Sequence, residues 1–242
     1  RHNDMAHLRA WLEEHRASHK RCLIVTDGVF SMDGDLAPVH EMAELAQEFD
    51  AWLMTDDAHG IGVVGAGGRG STFAGGTKAA VDLQMGTLSK AVGGYGGYLC
   101  ASQAVIDLMK TRCRTLIYST GLPPATVAAA IAALDIIEGD PEYAARPVKK
   151  ARRFTQRLGL PAAESPIVPI LLGDSARTMA AQKTLEDAGY LVIGIRPPTV
   201  PEGTARLRLT FTALHADADI DRLADLIADK VLVGDEPFRA SS

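Results

Sequence analysis

Residues 87–97 read TLSKAVGGYGG and directly follow a short apolar segment. Two small hydroxyl residues, Thr87 and Ser89, lead into a single lysine, Lys90, and glycines come close behind it. Glycine lets the backbone turn sharply and lets a ligand approach the chain closely. The segment differs from a Walker loop, because its glycines follow the lysine instead of preceding it. Lys90 is therefore the candidate reactive residue, although an isolated Ser-Lys-Ala would indicate only a solvated lysine in a surface turn.

A second polar cluster, MTDDAHGIG at residues 54–62, comes directly after the apolar residues 51–53. A strand that ends in acids, a histidine and glycines delivers these side chains to the carboxyl edge of a sheet, where open α/β folds bind ligands. We therefore expect this cluster and the lysine loop to share one crevice. Two other interpretations stay open: Asp56, Asp57 and His59 could bind a metal, or Asp57 could cap a turn. A metal site is disfavoured, because no further histidine or cysteine lies at ligand spacing.

The composition is that of a globular protein, with 47% hydrophobic and 23% charged residues and a net charge of −5, which does not favour nucleic-acid binding. The three scattered cysteines fit a reducing cytosol, so the sequence predicts a cytoplasmic protein. The most apolar tract, 127–137, is alanine-rich and interrupted by Asp135, which predicts a core helix and not a membrane span. No signal peptide is visible.

Four motifs, in this order along the chain, resemble the α-oxoamine synthases: TDGVFSMDGD at 26–35, DDAHG at 56–60, TLSK at 87–90 and RPPTVPEGTARLRLT at 196–210. The resemblance spans nearly the whole chain, and four motifs together are far more specific than any one of them. It implies a pyridoxal 5'-phosphate (PLP) enzyme with the α/β fold of aspartate aminotransferase, PLP fold type I. That fold has a large domain with a mostly parallel sheet and a small C-terminal α+β domain.

Apolar runs of strand length divide the chain in the same way. Strands are predicted at 22–26, 52–55, 83–86 and 97–101, and the helix at 39–49 indicates a mostly parallel sheet. Helices follow at 102–112, 124–138 and 141–158. Short strands at 167–172, 191–195 and 207–211 then alternate with helices at 176–188 and 217–232. We therefore expect a partial PLP-binding large domain at 1–145 and a small C-terminal domain at 146–242.

The beginning of the chain reads as an amphipathic helix over 1–20, in which Met5, Leu8, Leu12 and the Trp11 face are spaced for burial. No predicted strand precedes this helix. Members of the family carry a long segment before this point, which supplies a histidine that stacks on the cofactor ring. The resemblance therefore implies that the N-terminal part of the family fold is missing from this chain, and that its cofactor pocket is incomplete on its own.

Three residues are implied as catalytic and as cofactor-binding. Lys90 matches the lysine that holds PLP and later moves the Cα proton of the substrate, a task that needs the neutral amine and so a partly desolvated site. Asp56 matches the aspartate that pairs with the pyridinium nitrogen and keeps the ring able to accept electrons. His59 matches the histidine that hydrogen-bonds the phenolic oxygen of the ring.

Other cofactor contacts are implied at Ser31, Thr87 and Ser89, with Thr87 and Ser89 near the phosphate. Asp57 is expected to be structural, because neighbours in an extended segment point to opposite sides.

The segment LIYSTGLPP at 116–124 resembles the family's dimer contact, in which a hydroxyl residue reaches the phosphate in the partner subunit. Ser119 is the matching residue, and Thr120 is its neighbour. The resemblance therefore implies a homodimer with shared active sites. The alternative is a helix N-terminal turn with Thr120 as its cap.

Three more residues are implied as substrate contacts: Arg208, Thr199 and Arg196. Arg206 and Arg208 share one face of a strand whose side chains alternate between two sides. A guanidinium group can bind a carboxylate through two parallel hydrogen bonds. By the resemblance, Arg208 matches the residue that binds the carboxylate of the amino acid. Arg206 is expected to be a surface charge. Arg196 and Thr199 lie in a proline-stiffened loop that, by resemblance, reaches the acyl substrate.

The RPPTVP form of the last motif resembles the biotin-pathway branch of the family. That branch implies a decarboxylative condensation of L-alanine with pimeloyl-CoA or pimeloyl-[acyl-carrier protein], giving 8-amino-7-oxononanoate, CO2 and free thiol. Alternatives within the family are the glycine users, 2-amino-3-ketobutyrate CoA ligase and 5-aminolevulinate synthase. Outside that chemistry, the chain could be a non-catalytic scaffold subunit of the same fold or a plain phosphate-binding module.

Overall fold

The computed structural model describes residues 1–232, and the chain divides into two compact units. The first unit contains Arg1–Phe30 and Leu36–Ala144, and the second contains Ser31–Asp35 together with the chain from Ala145 onward. Segment 31–35 therefore groups with the C-terminal part, although it lies far earlier in the sequence. The assignment of the units to a PLP-binding domain at 1–145 and a small domain at 146–242 stays a prediction.

The first unit is built on a four-stranded sheet, whose strands lie side by side in chain order: β1 (Leu23–Asp27), β2 (Trp52–Asp56), β3 (Leu83–Thr87) and β4 (Gly97–Ala101). Strands β1, β2 and β3 are parallel, and β4 is antiparallel to β3. The predicted mostly parallel sheet is confirmed. Asp27 pairs with Asp56, and Asp56 with Met85, so the three parallel strands end together at one edge.

Five helices accompany this sheet: α1 (Met5–His15), α2 (Val39–Glu48), α3 (Gln103–Arg112), α4 (Arg114–Ile117) and α5 (Pro124–Gly139). Helix α1 begins where the Asp4 side chain accepts a hydrogen bond from the His7 amide at 2.8 Å. Its Leu12 is fully buried in one core with residues of α2 and β2. Trp11, which was expected to be buried, is 49% exposed, because each helical residue turns about 100° from its neighbour.

Helix α5 contradicts the expectation of a core helix. Ala130 is buried, but Val127, Ile131 and Ile136 are exposed. An apolar composition predicts that a helix packs against protein surface, but it does not say that the same chain supplies that surface. No helix in the described part of the chain has the length and apolar character that a membrane span needs.

The second unit contains a three-stranded antiparallel sheet of β5 (Ile167–Gly173), β6 (Ile193–Ile195) and β7 (Ala205–Thr210), with β7 in the centre. Helices α6 (Pro141–Arg157), α7 (Ser175–Asp187) and α8 (Asp217–Lys230) complete its elements. Phe154, Leu185, Leu207 and Ile227 are fully buried in its core. The predicted strand at 191–195 is shorter, since Leu191 precedes the pairing with β7 and is exposed.

Candidate functional site

The lysine loop joins two antiparallel strands and is closed by its own backbone. The Leu88 amide donates to the Gly96 carbonyl at 2.9 Å, and the Gly94 amide donates to the Leu88 carbonyl at 2.7 Å. Gly93 and Gly96 have φ values of 70° and 118°, which only glycine adopts easily. The glycines therefore allow a compact loop that presents Lys90 close to the end of β3.

Lys90 and His59 are brought together by the fold. The Lys90 Nζ and the His59 Nε2 lie 2.9 Å apart, although 31 positions separate the two residues in the chain. Lys90 is exposed, so the described residues do not supply the desolvation that was expected around it. This amine–imidazole contact lies just beyond the ends of β2 and β3, where the two polar clusters were expected to meet. The catalytic roles of the two residues stay predictions.

Two hydroxyl groups lie next to this pair. The Thr87 Oγ1 donates to the Gly96 carbonyl at 3.0 Å and lies 2.7 Å from the Ser89 Oγ. The Ser89 amide also donates to the Thr87 Oγ1 at 3.2 Å. Thr87 therefore ties the loop together in this state, and a phosphate would have to take over part of that bonding.

Two carboxylates end the neighbouring strands β1 and β2. Asp56 is half-buried, and its Oδ1 accepts from the Ala58 amide at 2.9 Å. Burial raises the pKa of Asp27, the charge of Asp56 raises that pKa further, and the charge of Lys90 opposes the rise. Asp27 thus belongs to the same electrostatic group as Asp56 and Lys90. The sequence analysis missed Asp27, which the strand-end argument applied to Asp56 would have found in the motif at 26–35.

Asp57 holds the loop that carries His59. It is fully buried, and its carboxylate accepts from the Ser71 amide at 2.9 Å and from the Gln84 Nε2 at 3.0 Å. A Cβ on Gly60 or on Gly70 would lie 2.0 Å from an Asp57 carboxylate oxygen, so both glycines are required for this packing. Burial raises the pKa of Asp57, and the hydrogen bonds oppose the rise.

The side chain of Asp57 is therefore used inside the protein, in agreement with its structural interpretation. Among residues 1–232, no group of three or more histidine, cysteine or acidic side chains is arranged to hold a metal ion.

Tyr98 on β4 was also missed by the sequence analysis. Burial, followed by the charge of Asp57, raises the pKa of Tyr98 to about 12.

In the second unit, two arginines on β7 form hydrogen bonds to segment 31–35. The Arg208 Nε donates to the Ser31 carbonyl at 2.6 Å, and the Arg206 Nη1 contacts the Asp33 Oδ1 at 2.5 Å. Arg206 is only 5% exposed, so the expectation of a surface charge is wrong. The reason is Asp33, a carboxylate far away in sequence that neutralises it. Burial lowers the pKa of the half-buried Arg208.

Arg196 and Thr199 lie in one exposed turn between β6 and β7. The Thr199 amide donates to the Arg196 carbonyl at 3.1 Å, and the Arg196 Nη1 lies 3.0 Å from the Met179 Sδ. Both side chains are exposed, so they are available to a ligand of this unit. Their role as acyl-substrate contacts stays a prediction.

Ser119 and Thr120 lie in an exposed stretch between α4 and α5. The Ser119 Oγ donates to the Thr120 carbonyl at 3.5 Å. The N-cap of α5 is Pro123, which caps without a side-chain hydrogen bond, so the alternative of Thr120 as a helix cap is wrong. Tyr118 next to them is also strongly exposed.

The chemistry of the donor set at the ends of β2 and β3 fits PLP. An amine can bind its aldehyde, a carboxylate can pair with its ring nitrogen, an imidazole can bond its phenolic oxygen, and hydroxyl groups can bond its phosphate. The amine, the carboxylate and the imidazole belong to Lys90, Asp56 and His59. The two hydroxyl groups belong to Thr87 and Ser89. All five lie in the first unit, at the ends of β2 and β3 or in the loops that follow these strands.

The model for "Aminotransferase class I and II" matches residues 1–227. The chain belongs to this family. Two curated relatives refine the placement. A Parvibaculum lavamentivorans protein with the provisional name 8-amino-7-oxononanoate synthase is 69% identical over 232 residues, which are 96% of this chain and 60% of that protein. The 8-amino-7-oxononanoate synthase of Methylocella silvestris is 61% identical over 231 residues, which are 96% of this chain and 65% of that protein.

Solved structures support the placement at the level of the family. The serine palmitoyltransferase of Sphingomonas wittichii is 32% identical with a TM-score of 0.88, covering 95% of this chain and 59% of that one. A structure of serine palmitoyltransferase with PLP is 31% identical with a TM-score of 0.88 and the same coverage. The resemblance to the α-oxoamine synthases and the aspartate-aminotransferase-like fold are thereby confirmed. The chain spans about 60% of the length of these relatives.

Proposed function

We propose that the protein is an 8-amino-7-oxononanoate synthase. It condenses L-alanine with a pimeloyl thioester, releases CO2 and the free thiol, and serves biotin biosynthesis. The observation that carries the proposal is the Lys90–His59 contact of 2.9 Å at the edge where β2 and β3 end. Relatives that are 55–69% identical to the chain bear this enzyme name, several of them provisionally, which supports the choice of reaction.

PLP is the cofactor of this proposal, and when bound it supplies an electron sink for the bond-breaking steps at the amino-acid Cα. Lys90 would hold it at the aldehyde carbon through Nζ. Asp56 would pair with the ring nitrogen and keep it protonated, and Thr87 and Ser89 would bind the phosphate. Asp57 sets the course of the loop after β2, so that His59 stays within reach of the cofactor oxygen.

Lys90 also moves protons. With the amino acid bound, the Nζ amine would accept the Cα proton and later return one. The His59 Nε2, at 2.9 Å in this structure, accepts or donates a hydrogen bond to that amine and so keeps it near the reacting carbon. These roles require the amine to be neutral in part of the cycle, which the binding of cofactor and substrate around the exposed Lys90 would favour by excluding water.

Substrate binding is assigned to the second unit. Arg208 would bind the carboxylate of L-alanine, and Ser31 is assigned a cofactor contact. Arg196 and Thr199, in their exposed turn, bind the acyl thioester, either pimeloyl-CoA or pimeloyl-[acyl-carrier protein]. The half-buried state of Arg208 supports its role, because a carboxylate ligand would compensate a partly desolvated guanidinium.

A homodimer completes the proposal. Exposed apolar side chains lie along α5 and before it, at Leu116, Tyr118, Val127 and Ile131. A series of exposed apolar side chains favours burial against another protein surface. In the proposed dimer this surface is covered by the partner subunit, and Ser119 reaches the phosphate of the partner's site.

Thiol release measures the proposed reaction directly. The full-length protein, loaded with PLP, is mixed with pimeloyl-CoA and either L-alanine or glycine, and the free thiol is followed together with the ketone product. We expect release with L-alanine and little with glycine. Faster release with glycine and a short acyl-CoA would instead favour the glycine-using relatives. No release with any pair would favour a non-catalytic scaffold.

A further inference from the structure

Arg206 is a buried cation that the proposed reaction does not use. It is 5% exposed, and its Nη1 forms an ion pair with the Asp33 Oδ1 at 2.5 Å. The same guanidinium also donates to the Met32 carbonyl at 3.2 Å and to the Thr204 carbonyl at 3.0 Å. Burying a charge is costly unless it is paired and hydrogen-bonded, so a residue placed in this way usually fixes local structure.

The partner of Arg206 lies on a short segment, Ser31–Asp35, which is otherwise separated from this unit by more than 100 residues of chain. Next to Asp33, a Cβ on Gly34 would lie 2.2 Å from the Ile167 carbonyl oxygen, so the segment is seated directly on the end of β5. Gly34 has a φ of 77°, a conformation that glycine adopts without strain. The segment is therefore held at Asp33 by an ion pair and at Gly34 by close packing.

The same segment orients Arg208. Its Ser31 carbonyl accepts from the Arg208 Nε at 2.6 Å, and the Arg208 Nη1 donates to the Thr210 Oγ1 at 3.2 Å. Within the described part of the second unit, no carboxylate lies within ion-pairing distance of Arg208. Nε is already used, and Nη1 gives one of its two hydrogens to Thr210, so the remaining hydrogens of the two Nη atoms are left for an anionic ligand.

We propose that the Arg206–Asp33 pair is a positioning element for Arg208. The pair holds segment 31–35 against β7, so that the Ser31 carbonyl fixes the Arg208 guanidinium with its Nη end toward the carboxylate of the amino-acid substrate. Arg206 and Asp33 themselves touch no substrate. The proposal rests on the proposed function, because it assigns a carboxylate ligand to Arg208.

The position of segment 31–35 is tested first, without substrates. Hydrogen–deuterium exchange of the peptide that contains this segment is measured in the full-length protein and in Asp33→Asn, Asp33→Ala and Arg153→Gln. Arg153 forms an exposed ion pair with Asp221 in the same unit, which makes it a matched control. We expect faster exchange in both Asp33 variants, more so in Asp33→Ala, and no change in the control. Unchanged exchange in Asp33→Ala would overturn the proposal.

The effect on the substrate is tested by steady-state kinetics with the thioester saturating. Asp33→Ala and Arg206→Gln should raise KM for the amino acid roughly tenfold, the size of losing one hydrogen bond to a charged group, with little change in kcat or in KM for the thioester. The double variant should be no worse than the poorer single one, because both act through the same segment.

A general loss of structure would lower kcat and raise both KM values, and that result would contradict the proposal, as would additive effects in the double variant. Asp33→Asn keeps an acceptor oxygen and should retain part of the affinity even if Arg206→Gln folds poorly. Failure of the proposed function gives a different result: the wild-type protein would release no thiol with any amino acid, whatever the exchange of segment 31–35.

Discussion

The two units of the protein place their candidate functional groups in opposite ways. In the first unit the groups lie at the ends of parallel strands or on the loops that follow them, and one buried carboxylate, Asp57, holds the loop that carries His59. In the second unit they lie on the central strand itself, where the buried Arg206 precedes the half-buried Arg208 by two positions. In both, a buried charge fixes the backbone and a more accessible charge is left for a ligand.

This difference separates chemical from structural effects. Changing an accessible group should alter the reaction and leave stability nearly intact, whereas changing a buried charge should alter stability or position. The expected effects follow in decreasing size.

Lys90→Ala in the first unit should have the largest effect. Removing the amine removes both the bond to the cofactor and the proton transfer, so kcat should fall by about a thousandfold or more. Urea unfolding should barely change, since Lys90 is exposed. Lys78→Ala, at another exposed lysine of the same unit, is the control. If Lys90→Ala kept a tenth or more of the wild-type activity, the accessible group of this unit would have been misidentified.

Asp57→Ala should have the next largest effect, on stability. The change leaves the Ser71 amide and the Gln84 side chain without their acceptor in a fully buried place, which should cost about 2–4 kcal/mol of unfolding free energy. Urea denaturation followed by circular dichroism measures this. Glu44→Ala, at an exposed position of α2, should stay within about 0.5 kcal/mol of wild type. Equal effects of the two changes would remove the distinction between buried and accessible charges.

Arg208→Lys in the second unit should weaken substrate binding more than it weakens the fold. A lysine keeps the charge but cannot present a planar fork, so KM for L-alanine should rise roughly tenfold to a hundredfold. KM for the thioester should stay near the wild-type value. An unchanged KM for L-alanine would mean that Arg208 does not bind the carboxylate.

Arg153→Gln should have the smallest effect, and one that depends on pH. The hydrogen bond from Arg153 lowers the pKa of Asp221 from its ordinary value of 3.8. A lowered pKa contributes stability above the ordinary value, and this contribution is lost as the pH falls through the lowered pKa. Arg153→Gln should therefore lose a little stability at pH 6 and approach wild type near pH 2 in urea titrations. A difference that grew as the pH fell would contradict this sign.

Much of the first unit could be predicted from the sequence, because patterns within short stretches of the chain determine its strands and their polar ends. Apolar runs that end in polar clusters predict parallel strands whose carboxyl ends meet at one edge of the sheet. This rule predicts from the sequence that Lys90 lies near His59. Asp27 escaped notice although the same rule covers it. Asp57 could be assigned to the interior from alternation alone, but its partner Ser71 could not, since it lies in a glycine-rich loop without periodicity.

The second unit shows what sequence patterns leave out. Alternation put Arg206 and Arg208 on one face, yet it could not say that Asp33, 173 positions away, would bury one of them and leave the other accessible. Helix α5 is a similar case, because its apolar side chains predict burial but not the surface that covers them. Charge partners and interfaces depend on long-range packing, and a local pattern does not encode it.

The identity of the reactive amine is tested most directly by locating the cofactor. The full-length protein is incubated with PLP, treated with borohydride to make the linkage permanent, digested, and the labelled peptide is sequenced by mass spectrometry. We expect the label on Lys90, with the yellow absorbance of the bound cofactor lost on reduction. A label spread over several exposed lysines, or one that persists at the same level in Lys90→Ala, would contradict this account.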